Sequence, residues 1–218
     1  MTRRGVVTLV SGGLDSLVLV QTLLRRGAVV FPVYVRCGLA WESAERRGLA
    51  QWLAVIRQPQ LNALYVLEVP LRSVYGSHWS LTGRGVPSHT SADVSVELPG
   101  RNVLLLAHAA VHASRRQITT VALGTLAGNP FADATPRFFK EFAACLSRAC
   151  ARPMQILAPL RAFTKAELIA AHPTAPFQLT VSCLRPRIRR HCGRCNKCAE
   201  RQRAFQRARV LDPTVYAA

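Results

Sequence analysis

The fold is decided by residues 6–24, VVTLVSGGLDSLVLVQTLL. An apolar run, Val6 to Val10, meets two glycines; an aspartate follows among small residues, and a second apolar run begins. The spacing reads as a first strand, a tight turn and a first helix. Gly12 and Gly13 let the backbone come close to an anion and turn where other residues resist. The N–H groups that open the following helix then face that anion, aided by the helix dipole. Ser11 and Ser16 add hydroxyl donors, so Val10, Ser11, Gly12, Gly13, Leu14, Asp15 and Ser16 together make a phosphate cradle. The two commoner glycine-rich phosphate loops, Gly-x-x-x-x-Gly-Lys-Ser/Thr and Gly-x-Gly-x-x-Gly, are absent. Asp15 inside an anion site calls for a cation, and magnesium suits a carboxylate beside phosphates. The bland alternative is a plain Gly-Gly turn with Asp15 as a helix cap.

Outward from this junction the pattern repeats. Strand candidates are Val6–Val10, Val29–Val35, Leu64–Val69, Ile118–Leu123 and Met154–Leu157. Helical patterns fill the gaps at Leu17–Arg25, Trp41–Arg57, Asn102–Arg115 and Pro136–Cys150, and Thr164-Lys-Ala-Glu167 is a capping box. This alternation predicts an α/β fold, a parallel sheet layered between helices, with ligands at the carboxyl ends of the strands. The stretch Leu71–Pro99 is rich in Gly, Ser, Thr and His and breaks the rhythm; loops of that length are functional or disordered. From Leu179 the composition turns to cysteine and arginine. Two units follow: a nucleotide-binding catalytic part, 1–178, and a small module with a closing helix, 179–218.

Half of the 218 residues are hydrophobic, and no apolar run approaches the length of a membrane span. The five-residue run at Val6–Val10 is too short for the core of a signal peptide, so the expectation is a soluble, cytoplasmic protein. The net charge is +18, with only three lysines, Lys140, Lys165 and Lys197. Ten of the 29 basic residues fall between Arg185 and Arg209.

Four of seven cysteines crowd the same region in SCLRPRIRRHCGRCNKCAERQRAF. Cys192, Cys195 and Cys198 at two-residue gaps, with Cys183 upstream, supply four thiolates to one tetrahedral zinc; an iron–sulfur cluster is the main rival. Arg185, Arg187, Arg189, Arg190, Arg194 and Lys197 would offset the negative charge of such a site. Contact with nucleic acid is the less favoured account of these residues, since no aromatic stacking pattern accompanies them. His108 and His112, one turn apart, read as a helix face.

The opening motif resembles the pyrophosphate loop of the ATP pyrophosphatase superfamily, whose enzymes split ATP between the α- and β-phosphates. Combined with the terminal cysteines, and with LPGRN (Leu98–Asn102), APLRAFTKAEL (Ala158–Leu168) and TVSCLRP, the chain resembles the 7-cyano-7-deazaguanine synthase family over nearly its whole length. The resemblance implies a PP-loop catalytic domain that adenylates the carboxylate of 7-carboxy-7-deazaguanine or a related acid. Ammonia then carries it to the amide and nitrile; the cofactors are ATP, magnesium and zinc. Gly100, Arg101 and Asn102, where a helix opens near the strand ends, are assigned to nucleotide or substrate. Lys165 is assigned to phosphate, and Asp133 matches an aspartate in the family's corresponding loop, so Asp15, Arg101, Lys165 and Asp133 form the catalytic set. Pairing into a homodimer is a family expectation.

The chain also departs from the family. Where Tyr-Gly-Gln-Arg-His is usual after the second strand, it has Cys37-Gly38-Leu39-Ala40-Trp41, although Gly38 and Glu45 remain. That pattern suits a divergent paralogue with another acid, or one stopping at the amide. The rivals are a tRNA-modifying sulfurtransferase using Cys37, an enzyme conjugating a deazapurine to a macromolecule, and a zinc-bearing nucleic-acid-binding module without catalysis.

Overall fold

The computed structural model describes residues 4–188 and 190–217; Arg189, one of the arginines assigned to charge compensation, lies outside them. Five parallel strands form one sheet in the order β3-β2-β1-β4-β5. They are β1 (Gly5–Leu9), β2 (Val29–Arg36), β3 (Tyr65–Glu68), β4 (Thr120–Ala122) and β5 (Gln155–Leu157). All five expected strands are present, displaced by a residue or two at their ends. The order reverses between β1 and β4, so the loops after these strands diverge and leave a crevice at their carboxyl ends.

The helices are α1 (Leu14–Arg25), α2 (Glu42–Val55), α3 (Arg72–Tyr75), α4 (Trp79–Thr82), α5 (Arg101–Arg115), α6 (Pro136–Ala149), α7 (Lys165–Ala171) and α8 (Asn196–Ala208). α1 begins three residues before the expected Leu17, so Leu14, Asp15 and Ser16 form its first turn. Eight of its twelve residues are buried, which suits a helix covered on several sides. One apolar layer joins α1 with Leu49 and Trp52 of α2, Leu168 and Ile169 of α7, and Ala204 and Phe205 of α8. The opposite layer joins Leu106 and Ala109 of α5, Phe139 and Leu146 of α6, and Cys183, Cys195 and Cys198. The capping box at Thr164 forms in full and starts α7.

The stretch 71–99 is ordered by packing. It carries α3, α4 and a 3-10 turn at Asp93–Val96, and it buries Leu71, Ser80, Val96 and Leu98. Its outer part lies on the cysteine module: His89 N–H donates to Arg194 O (3.0 Å), Asn196 N–H to Pro87 O (3.0 Å), and Asn196 Nδ2 to Ser91 O (2.8 Å). Its inner part covers the divergent stretch after β2. Cys37, Leu39 and Trp41 are all buried, and Trp41 stacks on Trp79 with centroids 5.8 Å apart. The divergent stretch after β2 and the segment 71–99 are thus one feature, an apolar patch and the loop that covers it. Among the described residues no helix is long and apolar enough to cross a membrane.

Candidate functional site

The turn between β1 and α1 requires its glycine at position 12. Gly12 has φ +77°, and a Cβ there would stand 2.5 Å from the backbone oxygen of Glu45. Ser16 Oγ accepts the Ser11 N–H at 3.0 Å, and the Ser11 and Ser16 hydroxyls lie 3.1 Å apart. Gly13 caps α1 without a side chain, which leaves the first N–H groups of that helix open to an anion. Val181 N–H donates to Gly12 O at 3.0 Å, so the loop is braced from the far end of the chain.

Asp15 leaves this loop with its two oxygens in different settings. Oδ2 stands 3.3 Å from Lys165 Nζ, while Oδ1 is enclosed and has no hydrogen-bond partner among the described residues. Burial raises the Asp15 pKa against the pull of the Lys165 charge. An enclosed, unpartnered carboxylate oxygen beside a phosphate loop fits a divalent cation. Lys165, at the start of α7, also meets Glu200 Oε1 at 2.5 Å, and Lys197 meets Glu200 Oε2 at 2.5 Å. Despite its burial, the two ammonium groups hold the Glu200 carboxyl down at about 2.

At the crevice a cavity of about 210 Å³ opens over the loop, between the ends of β1, β2 and β4. Ser11, Asp15, Ser16, Glu45, Arg101 and Thr125 are among the polar side chains on its wall. Arg101 Nε and Thr125 Oγ1, on residues of that wall, are enclosed with no partner among the described residues. Glu45 accepts from Tyr34 Oη at 2.9 Å; burial pushes its carboxyl up to about 7, against the Arg101 charge and the tyrosine bond. The wall therefore carries a guanidinium, a hydroxyl and a carboxyl poised near neutrality, the last being the kind of group that changes protonation in a reaction.

Of the residues assigned from sequence, Val10, Ser11, Asp15, Ser16, Arg101 and Asn102 meet at this cavity, with Lys165 bonded to Asp15. Gly12, Gly13 and Leu14 shape the loop, and Gly100, with φ +73°, caps α5. Asp133 stands elsewhere. Its carboxylate accepts the Asn102 N–H at 2.9 Å and Asn102 Nδ2 at 3.0 Å, so it fixes the first turn of α5 and does not line the cavity. Tyr34, Glu45, Thr125 and Glu200 were not assigned as site residues from sequence. Glu45 carried one signal, its persistence in an otherwise divergent stretch. Glu200 carried none, since it lies 35 positions from its partner Lys165.

The sulfur atoms of Cys183, Cys192, Cys195 and Cys198 lie within 4.8 Å of one another. A tetrahedral zinc with bonds near 2.3 Å needs sulfurs about 3.8 Å apart, so the set fits with a small contraction. Backbone N–H groups of Leu184, Arg185 and Cys192 donate to Cys195 and Cys183 sulfur at 3.5, 3.3 and 3.2 Å, which favours thiolates. Arg185, Arg187, Arg190 and Arg194 are exposed around the cluster, but Arg201 is buried. It donates to Phe177 O (2.8 Å), Thr180 Oγ1 (2.8 Å) and Thr214 Oγ1 (2.6 Å), tying α8 to the segments on either side of the cysteines. His108 bonds Leu104 O, and His112 stacks on Tyr65, as a helix face does.

A parallel sheet of reversed order, with a Ser-Gly-Gly-Leu-Asp-Ser loop at its switch point, defines a PP-loop nucleotide enzyme of the α/β class. The family model described as queuosine biosynthesis protein QueC matches residues 5–209, and the chain belongs to that family. It is 31% identical over 211 residues to 7-cyano-7-deazaguanine synthase 1 of Desulfitobacterium hafniense, covering 94% of this chain and 93% of that one. It is 32% identical to the 7-cyano-7-deazaguanine synthase of an Anaeromyxobacter species, covering 99% and 97%. Among solved structures, a 4-thiouridine synthetase–RNA complex with bound ATP shares the fold with a TM-score of 0.50 at 16% identity, covering 94% of this chain and 50% of that one.

Proposed function

We propose that this chain is an ATP-dependent 7-cyano-7-deazaguanine synthase, with residues 1–178 as its catalytic part and 179–218 as a zinc-bearing module. The observation that carries the reading is the cavity continuous with the phosphate loop, whose wall residues Asp15 and Arg101 keep Oδ1 and Nε enclosed with no partner among the described residues. Buried polar groups of this kind are costly unless a ligand meets them.

The acid's carboxylate oxygen attacks the α-phosphorus of ATP, and the α–β bridge breaks. The loop N–H groups with Ser11 and Ser16 hold the departing pyrophosphate, and Lys165 offsets its charge. Arg101 faces the α-phosphate and the acyl group, with Asn102 oriented by Asp133. Ammonia then attacks the acyl carbon, AMP leaves with the former carboxylate oxygen, and the surplus proton passes to Glu45 or solvent. A second ATP adenylates the amide oxygen; loss of AMP and of the nitrogen's protons leaves the nitrile. Asp15 would hold magnesium, whose charge neutralises the phosphates. Four thiolates leave zinc no open position, so its role is structural.

The sulfurtransferase alternative needs an accessible thiol at position 37. Cys37 is 1% exposed, and burial pushes its pKa up to about 11, so it is neither reachable nor nucleophilic. The deciding experiment incubates the metal-loaded protein with ATP, magnesium, ammonium and 7-carboxy-7-deazaguanine and reads the products by mass spectrometry. The expected result is the nitrile with AMP and pyrophosphate. The amide alone would mark an enzyme that stops halfway, and AMP formation independent of the acid would overturn the substrate.

A further inference from the structure

Lys197 has no role in the site as assigned from sequence, where it counted only as charge compensation for the cysteine cluster. Its position says otherwise. It stands between two cysteines, yet its ammonium turns from the sulfurs, whose hydrogen bonds come from backbone N–H groups, toward Glu200. The same carboxylate takes Lys165 on its other oxygen, both at 2.5 Å, and Lys165 reaches on to Asp15 in the phosphate loop at 3.3 Å. Glu200 thereby holds two ammonium groups side by side at the edge of that loop. Lys165 is largely covered, at 16% exposure, while Lys197 stands more open at 30%, so an anion can approach Lys197 beside the loop.

The spacing between module and loop is fixed. Val181 N–H donates to Gly12 O, and α2 lies so close to the same segment that a Cβ on Gly48 would stand 2.6 Å from Leu179 O. Lys197 is held near the loop by α8, whose inner face packs with α1 and α7 in one apolar layer. We propose that Lys197 is a phosphate-contacting residue of the nucleotide site, delivered by the cysteine module and aimed at the two outer phosphates of ATP. The proposal rests on the ATP reading above. A polyphosphate presents more charge than the single Glu200 carboxylate, and an ammonium already oriented gives up little freedom in meeting it.

The test compares wild type with Lys197→Met and Lys197→Arg by calorimetric binding of a non-hydrolysable ATP analogue, pyrophosphate and AMP, with bound metal measured on every sample. Lys197→Met is expected to weaken the ATP analogue and pyrophosphate about tenfold. It should leave AMP affinity and metal content unchanged, and Lys197→Arg should restore most of the loss. Unchanged pyrophosphate affinity in Lys197→Met, or an equal loss for AMP and the ATP analogue, would overturn the proposal while the ATP reading stands. A wild-type protein that binds neither pyrophosphate nor the ATP analogue would remove both readings together.

Discussion

Gly12 and Glu45 meet at one point of the backbone and set opposite kinds of limit. A methyl group at position 12 would need a left-handed conformation and would collide with the Glu45 carbonyl, which is main chain and has no room to yield. Gly12→Ala should therefore abolish ATP binding and destabilise the protein by about 2 kcal/mol or more, measured by denaturant unfolding. Glu45 limits the molecule through its proton. Its carboxyl titrates near 7 in the fold against an ordinary 4.5, because burial penalises the charge. Between those values the folded state holds a proton that the unfolded chain has released, so stability falls as pH rises through the window. Glu45→Gln keeps an acceptor for Tyr34 and carries no charge. It should match wild type near pH 4.5 and exceed it by about 3 kcal/mol at pH 8. Parallel pH curves for the two proteins would count against this.

At the scale of elements, α2 and the segment 179–181 are in contact at Gly48, in the middle of the helix. In an exposed helix Gly→Ala stabilises by about 1 kcal/mol. Gly48→Ala should instead destabilise, because its Cβ would meet Leu179 O at 2.6 Å and Val181 Cγ2 at 3.0 Å. Since Val181 braces Gly12, the same change should raise KM for ATP, which steady-state kinetics would read. The elements themselves were largely legible. The five strands and the helices α1, α2, α5, α6 and α7 appear where apolar periodicity and capping chemistry predicted, because those signals act within a few residues; α8 was expected only as a closing helix without bounds. The stretch 71–99 was not legible. Its order comes from Trp79 on Trp41 and from bonds to Arg194 and Asn196, contacts that no local pattern announces.

For the whole molecule, the site is assembled from both ends of the chain. The loop and Asp15 come from the first strand and helix; Glu200, which pairs with Lys165, and Val181, which braces Gly12, come from the stretch that carries the four clustered cysteines. If the four cysteines hold zinc as proposed, its removal should lower the melting temperature and abolish ATP binding together, since the thiolates would lose the ion that balances their charge. Calorimetry before and after chelation, with zinc readdition, would check this; ATP affinity that survives metal loss would refute the shared architecture.

The layered parallel sheet, the Ser-Gly-Gly-Leu-Asp-Ser loop at its switch point and the four-cysteine set were legible along the chain, because each is written in residues close together. The tertiary structure alone decided which distant groups complete the site. It brought Glu200 to Lys165, Thr125 and Glu45 to one cavity wall, and Asp133 to the start of α5. Those pairings depend on how helices pack across the sheet, and packing geometry has no signature in the spacing of residues along the chain.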